Sequence, residues 1–197
     1  MGQITTDTWL GSFLKDVCNQ HPQIKTVVEI GTWDGMGSTD CIIQGLSTSD
    51  KSDIKFISLE TNSAMYEVAT NQWKDKLPAW ASLVHGKIVE ESDMDSTDLT
   101  NDEKNWFVED LRALTTCPNV LDCIPTQIDL LLLDGGEFST YSEFEKLKDR
   151  SSLIVLDDTN IRKCKGIRNH VIAYPEKYRI IFDFPNVRNG IMGVETI

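Results

Sequence analysis

The amino-acid sequence predicts an α/β fold: a doubly wound, mostly parallel seven-stranded sheet with an antiparallel C-terminal strand. Three observations carry that expectation. Short β-like apolar runs alternate with stretches of helical periodicity, the pattern of a sheet with helices on both faces. Two of the runs, "QIDLLLLD" (127–134) and "SSLIVLD" (151–157), are continuously apolar, as strands covered on both sides are. At the C-terminal end, "YRIIFDF" (178–184) and "GIMGVE" (190–195) flank Asn189-Gly190, a turn pair that favours an antiparallel hairpin.

The elements follow in order. Residues 7–20 read as a helix, with Asp7 able to cap it and Leu10, Phe13, Leu14 and Val17 spaced along one face. A strand is expected at about 26–30, then a helix from Ser38 through Ile43. "IKFISLE" (54–60) is the second strand, Ser63 to Trp73 the next helix, and "ASLVHGKI" (81–88) the third strand. Residues 90–127 break this rhythm and read as a helical and acidic insertion in one domain spanning 1–197. "EESDMDSTD" is expected as a solvated loop. Thr100 and Glu103 have capping-box spacing for a helix at 101–115, with Phe107, Leu111 and Leu114 as its apolar stripe.

Composition narrows the function classes. The chain of 197 residues is 40% hydrophobic and 25% charged, the balance of a globular protein with a core of its own. Its net charge of −12 disfavours nucleic acid, whose binding rests on neutralising phosphates. No apolar run is long enough to span a bilayer, and the N-terminus has neither the basic nor the apolar region of a secretory signal. Five cysteines, Cys18, Cys41, Cys117, Cys123 and Cys164, are scattered with no C-x-x-C pair, and read as reduced thiols. The expectation is a cytoplasmic protein with no nucleic-acid or membrane partner; a homodimer is compatible with it. Met1 to Thr6 also fits the loose N-myristoylation pattern, without the basic patch that would support anchoring.

The stretch "VVEIGTWDGMGSTD" (27–40) joins the first strand to the first following helix, at the sheet edge where α/β folds bind ligands. Its glycines, Gly31, Gly35 and Gly37, leave the backbone bare, and Gly31-x-x-x-Gly35-x-Gly37 departs from the G-x-G-x-x-G dinucleotide spacing. A diphosphate would be poorly served by Glu29; a cationic ligand would not. Glu29, Gly31 and Gly35 match acid-x-Gly-x-x-x-Gly, and the stretch resembles the first motif of class I S-adenosylmethionine-dependent methyltransferases, which have a Rossmann-like fold. The resemblance covers roughly residues 25–195, with 90–127 unaligned. It implies cofactor contacts from Glu29, Gly31, Thr32, Trp33, Gly35 and Ser38. Glu60, ending the second strand, would hold the ribose hydroxyls, since a carboxylate can accept from both. Gly86, Lys87 and Ile88 would line the adenine pocket.

"LLLLDGGEFSTY" and "LIVLDDTN" end the fourth and fifth strands in Asp134 and in Asp157 and Asp158. On neighbouring strands the three carboxylates would repel, and a hard divalent cation would relieve them; the alternative is a turn acid and a helix cap. Their positions are similar to the magnesium-binding acids of catechol-type and macrocin-type O-methyltransferases, which implies Mg²⁺ at Asp134, Asp157 and Asp158, Asp134 also facing the cofactor. Magnesium would lower the pKa of the acceptor hydroxyl. Those enzymes place a Lys or His three residues after the first Asp; this chain has Glu137, readable as a base, a fourth ligand or a surface acid. His170 and His85 are further base candidates, though a lone histidine is more often structural.

"IRKCKGIRNH" (161–170) collects Arg162, Lys163, Lys165 and Arg168, either a solvated helix face or a cluster steering an anionic acceptor such as a nucleotide sugar. Trp33 and Tyr141 lie beside the motifs; core packing is the commoner role for Trp33, and Tyr141 fits the apolar face of a helix. The leading expectation is O-methylation of a small-molecule hydroxyl. The alternatives are a metal-independent methyltransferase, a nucleotide-dependent oxidoreductase or epimerase, and a binding module of the same fold without catalysis.

Overall fold

A computed structural model describes residues 4–197. Met1–Gln3, where the myristoylation pattern begins, lie outside the described residues. Seven strands form one sheet: β1 (Thr26–Ile30), β2 (Lys55–Glu60), β3 (Ala81–His85), β4 (Ile128–Leu133), β5 (Ser151–Asp157), β6 (Tyr178–Phe184) and β7 (Ile191–Thr196). Their spatial order is β3-β2-β1-β4-β5-β7-β6. β1 to β5 pair in parallel, and β7 runs antiparallel between β5 and β6. The order reverses between β1 and β4, so the loops after those strands open a crevice at the carboxyl edge.

Strand alternation sorts the core into two layers. Val28, Ile30, Leu131, Leu133, Ile154 and Leu156 face α5 (Thr140–Leu147) and α6 (Arg162–Ala173), burying Phe144, Leu147, Ile167 and Val171. Val27, Phe56, Leu130, Leu132 and Val155 face α1 (Trp9–Gln20), α2 (Ser38–Ser47) and Trp73 of α3 (Ser63–Trp73). β4 serves both layers, which explains its unbroken apolar run.

Several local expectations are corrected. Thr8, not Asp7, caps α1, its hydroxyl accepting from the Gly11 amide. β3 stops at His85 because residues 86–88 turn away to follow the 118–120 segment; the Lys87 amide donates to Pro118 O and the Val120 amide to Lys87 O. The insertion carries α4 (Asn101–Thr116), whose Thr100–Glu103 capping box forms as spaced. The acidic run before it is tied down: Asp93 pairs with Lys146 and Asp95 with Arg162. All five cysteines are free thiols, four of them buried. No helix among the described residues is long and apolar enough to cross a membrane.

Candidate active site

A cavity of about 570 Å³ opens over the carboxyl ends of β1, β2 and β4. The turn after β1 forms one wall. The Gly31 and Thr32 amides both donate to Leu59 O, folding the chain back over β2. Gly31 sits at φ 102°, and a Cβ there would lie 2.2 Å from Asp134 O. Gly35, at φ 76°, packs under the Trp73 indole, whose Nε1–H donates to Gly35 O at 2.8 Å. Both glycines are therefore required by the protein's own packing, and Gly35 is not on the cavity wall. Gly31, Thr32, Trp33, Gly37 and Ser38 are.

Glu29 is not at the ligand surface. It is fully buried and accepts from Ser38 Oγ (2.5 Å), Thr39 Oγ1 (2.6 Å) and Ser58 Oγ (2.5 Å). Thr32 extends this network through its hydroxyl contact with Ser58. Burial pushes the Glu29 carboxyl up to about 7, against the pull of the three hydroxyls. Its role is to fasten the start of α2 to β1 and β2, and, contrary to the expectation, it does not line the cavity.

Glu60 does reach the cavity. Its Oε2 accepts from the Trp33 amide at 2.7 Å and its Oε1 from the Asn62 amide at 2.8 Å, so the carboxylate is fixed while lone pairs remain for a ligand. Burial raises its pKa, opposed chiefly by those backbone donors. Trp33 is 57% exposed on the rim, with φ 52°, rather than packed in the core. Gly86, Lys87 and Ile88 line the far wall. Gly86 has no room for a side chain because Val120 packs against it, and the Lys87 ammonium is held by Glu90 and Glu91.

Asp134, Asp157 and Asp158 come together as expected, with carboxylate oxygens within 4.8 Å of one another. Two cations of the chain are already among them. Lys163 Nζ lies 2.7 Å from Asp134 Oδ1 and 2.8 Å from Asp158 Oδ2. Arg188 donates to both Asp157 oxygens, its Nη2 2.8 Å from Oδ2. Asp157 is fully buried and off the cavity wall; Asp158, at φ 61°, lies on it. The all-oxygen donor set suits Mg²⁺, but Asp134 Oδ1, Asp158 Oδ2 and both Asp157 oxygens are engaged by an ammonium and a guanidinium, and Asp158 Oδ1 accepts from the Asn189 side-chain amide. As arranged, the cluster does not fit a divalent ion.

Burial raises the Asp134 carboxyl to about 6, against the pull of Lys163. Glu137 lines the cavity but is not free: Oε1 accepts from the Lys163 amide at 3.2 Å, in the first turn of α6, and its own amide donates to Asp110 Oδ2 at 3.1 Å. The acid at this position thus holds a helix N-terminus, which a Lys could not do.

The remaining candidates lie elsewhere. His170 sits two turns into α6, where it packs on Phe144, Tyr174 and Tyr178, outside the cavity. His85 stacks on Tyr66 with its Nε2 at Thr61 O. Arg162 is bound to Asp95 and Glu103, and Arg168 to Asp183, so neither points a free charge at an acceptor. Tyr141 covers Gly166 of α6 beside Phe144. Of the basic cluster, Lys163 alone lines the cavity.

The structure adds residues that the sequence did not single out. α4 lays Trp106 and Asp110 along the cavity, and α5 contributes Glu143. Glu143 is 2% exposed, its Oε2 has no hydrogen-bond partner, and burial pushes its carboxyl up to about 7. The basic side chains lining the cavity are Lys87, Lys163 and Arg188, each already paired with carboxylates of the chain. The field left for a ligand is acidic and suits a cationic one.

No family model matches the chain, and no curated protein matches its sequence. Solved structures do match its fold. The SAH-bound methyltransferase PaMTH1 of Podospora anserina superposes with a TM-score of 0.62 at 15% identity, covering 95% of this chain and 78% of that one. The O-methyltransferase of Bacillus cereus in complex with SAH gives 0.59 at 18% identity, covering 95% and 80%. TomG, an O-methyltransferase of Streptomyces achromogenes involved in tomaymycin synthesis and solved with SAM, gives 0.59 at 12% identity, covering 95% and 79%. The chain has the fold of the class I S-adenosylmethionine-dependent methyltransferases.

Proposed function

We propose that this protein binds S-adenosylmethionine and methylates a hydroxyl of a small molecule. One observation carries the reading: Glu60, at the carboxyl end of β2, is clamped by the Trp33 and Asn62 amides and lines the cavity beside the glycine turn. A fixed carboxylate accepts well from two adjacent hydroxyls, which is what a ribose offers. The acidic lining further supports a ligand bearing ammonium and sulfonium charges. When bound, the cofactor supplies an electrophilic methyl group.

The chain's own contribution is placement. Glu60 and the bare backbone of the turn hold the nucleoside; Trp33 and Trp106 cover the opening and limit water. Asp134, Asp158 and Lys163 lie where an acceptor oxygen would approach, and positioning of this kind supplies much of the rate of a methyl transfer. Glu60→Ala and wild-type protein incubated with methyl-labelled S-adenosylmethionine and a panel of hydroxyl compounds test this directly. Label is expected in an acceptor with wild type and not with the variant; a wild type that binds no cofactor contradicts the reading.

A cofactor-binding module without turnover is the second reading. Glu137 favours it, because the position that carries a base in the similar enzymes here holds the start of α6. Cofactor binding with no labelled acceptor in any panel would select it.

A further inference from the structure

We propose that Lys163 is the cation of this site: its ammonium takes the place of a divalent metal between Asp134 and Asp158 and hydrogen-bonds the acceptor's oxygen. The inference rests on the methyltransferase reading above for its acceptor, and on geometry for the rest.

Three carboxylates gathered at one strand edge need positive charge. The fold supplies it from two directions. Arg188, just before β7, reaches Asp157 and takes both of its oxygens. Lys163, in the first turn of α6, returns over the edge it has just left, because α6 begins four residues after Asp158. Its side chain is 12% exposed and that of Asp158 9%, so the pair is shielded from water. A magnesium ion would need an octahedron of oxygens at about 2.0–2.1 Å. To admit it, Lys163 would have to leave both carboxylates and Arg188 would have to release Asp157. Stripping a shielded ammonium of its partners would leave it an unpaired, buried charge.

The Lys163 ammonium has three N–H donors. Two point to Asp134 and Asp158; the third is left for the cavity, which Lys163 lines. A donor fixed there can do the electrostatic part of what a Lewis-acid metal does, holding an acceptor oxygen in place and favouring negative charge on it. The Glu137 carboxylate fastens the Lys163 backbone amide, so the side chain starts from a fixed point.

The test is Mn²⁺ binding followed by electron paramagnetic resonance, on wild type, Lys163→Ala and Lys163→Met, with calorimetry of S-adenosylhomocysteine beside it. Wild type is expected to bind no Mn²⁺ at millimolar concentration. The variants, with Asp134 and Asp158 released, are expected to gain Mn²⁺ affinity by about tenfold or more. Stoichiometric Mn²⁺ binding by wild type, lost in Asp158→Asn, overturns the proposal, and that measurement stands even if a lysine variant fails to fold. Absence of heat with S-adenosylhomocysteine bears on the methyltransferase reading alone; the Mn²⁺ titration of wild type decides this one.

Discussion

Ser58 of β2 donates its hydroxyl to Glu29 Oε2 of the adjacent strand β1 at 2.5 Å, in a part of the sheet with no solvent access. The acid that opens the glycine motif is thereby a structural staple. Ser58→Ala removes a donor from Glu29 and leaves the Thr32 hydroxyl without its contact. The expected loss is about 1–2 kcal/mol in urea unfolding. Glu29→Ala, which takes the shared acceptor from three buried hydroxyls, is expected to cost about 2–4 kcal/mol. A Glu29→Ala variant as stable as wild type would contradict the structural role.

Gly31→Ala is expected to be more severe than its size suggests. The residue sits at φ 102° with Asp134 O where a Cβ would go. The strain and the displacement together should lower stability by about 3 kcal/mol or more and weaken cofactor binding with it, since Asp134 must move. A thermal melt within a degree or two of wild type would count against this packing.

Glu143 makes stability depend on pH. Its folded pKa, about 7, is above its ordinary value of 4.5. Its favourable contribution is therefore complete below the unfolded value and lost as pH rises through the folded one. Glu143→Gln should be stabilising by about 2–3 kcal/mol near pH 8 and by little near pH 4. Denaturant titrations at the two ends check this; a difference that does not change with pH would remove Glu143 as its source.

Much of this was legible in the sequence, for physical reasons. The continuous apolar runs of β4 and β5 signal burial on both faces, and the Thr100–Glu103 spacing signals α4. Glu60 could be placed because a strand end is a fixed point of this fold. What could not be read is where side chains turn after the backbone is set. Glu29 was legible as an acid beside a ligand loop, but its inward direction depends on Ser58, which is 29 residues away in sequence and adjacent only in the sheet. Arg162 and Arg168 read as a basic cluster, yet their partners Asp95, Glu103 and Asp183 come from other elements. Lys163 was part of the same run, and nothing local marks it as the one that turns inward. Trp106 and Glu143 carry no motif; they belong to the cavity only because α4 and α5 frame it. Glu143 has one weak signal, an acid on the apolar face of α5 one residue before the buried Phe144.

The most direct test of the account is calorimetry of S-adenosylhomocysteine against wild type, Glu60→Gln and Glu60→Ala. The expected result is one site per chain in wild type, with affinity reduced about tenfold in Glu60→Gln and about a hundredfold in Glu60→Ala, as the ribose contacts are halved and then removed. Folded wild-type protein that gives no heat with this compound or with S-adenosylmethionine, or a Glu60→Ala variant that binds as tightly as wild type, would contradict it.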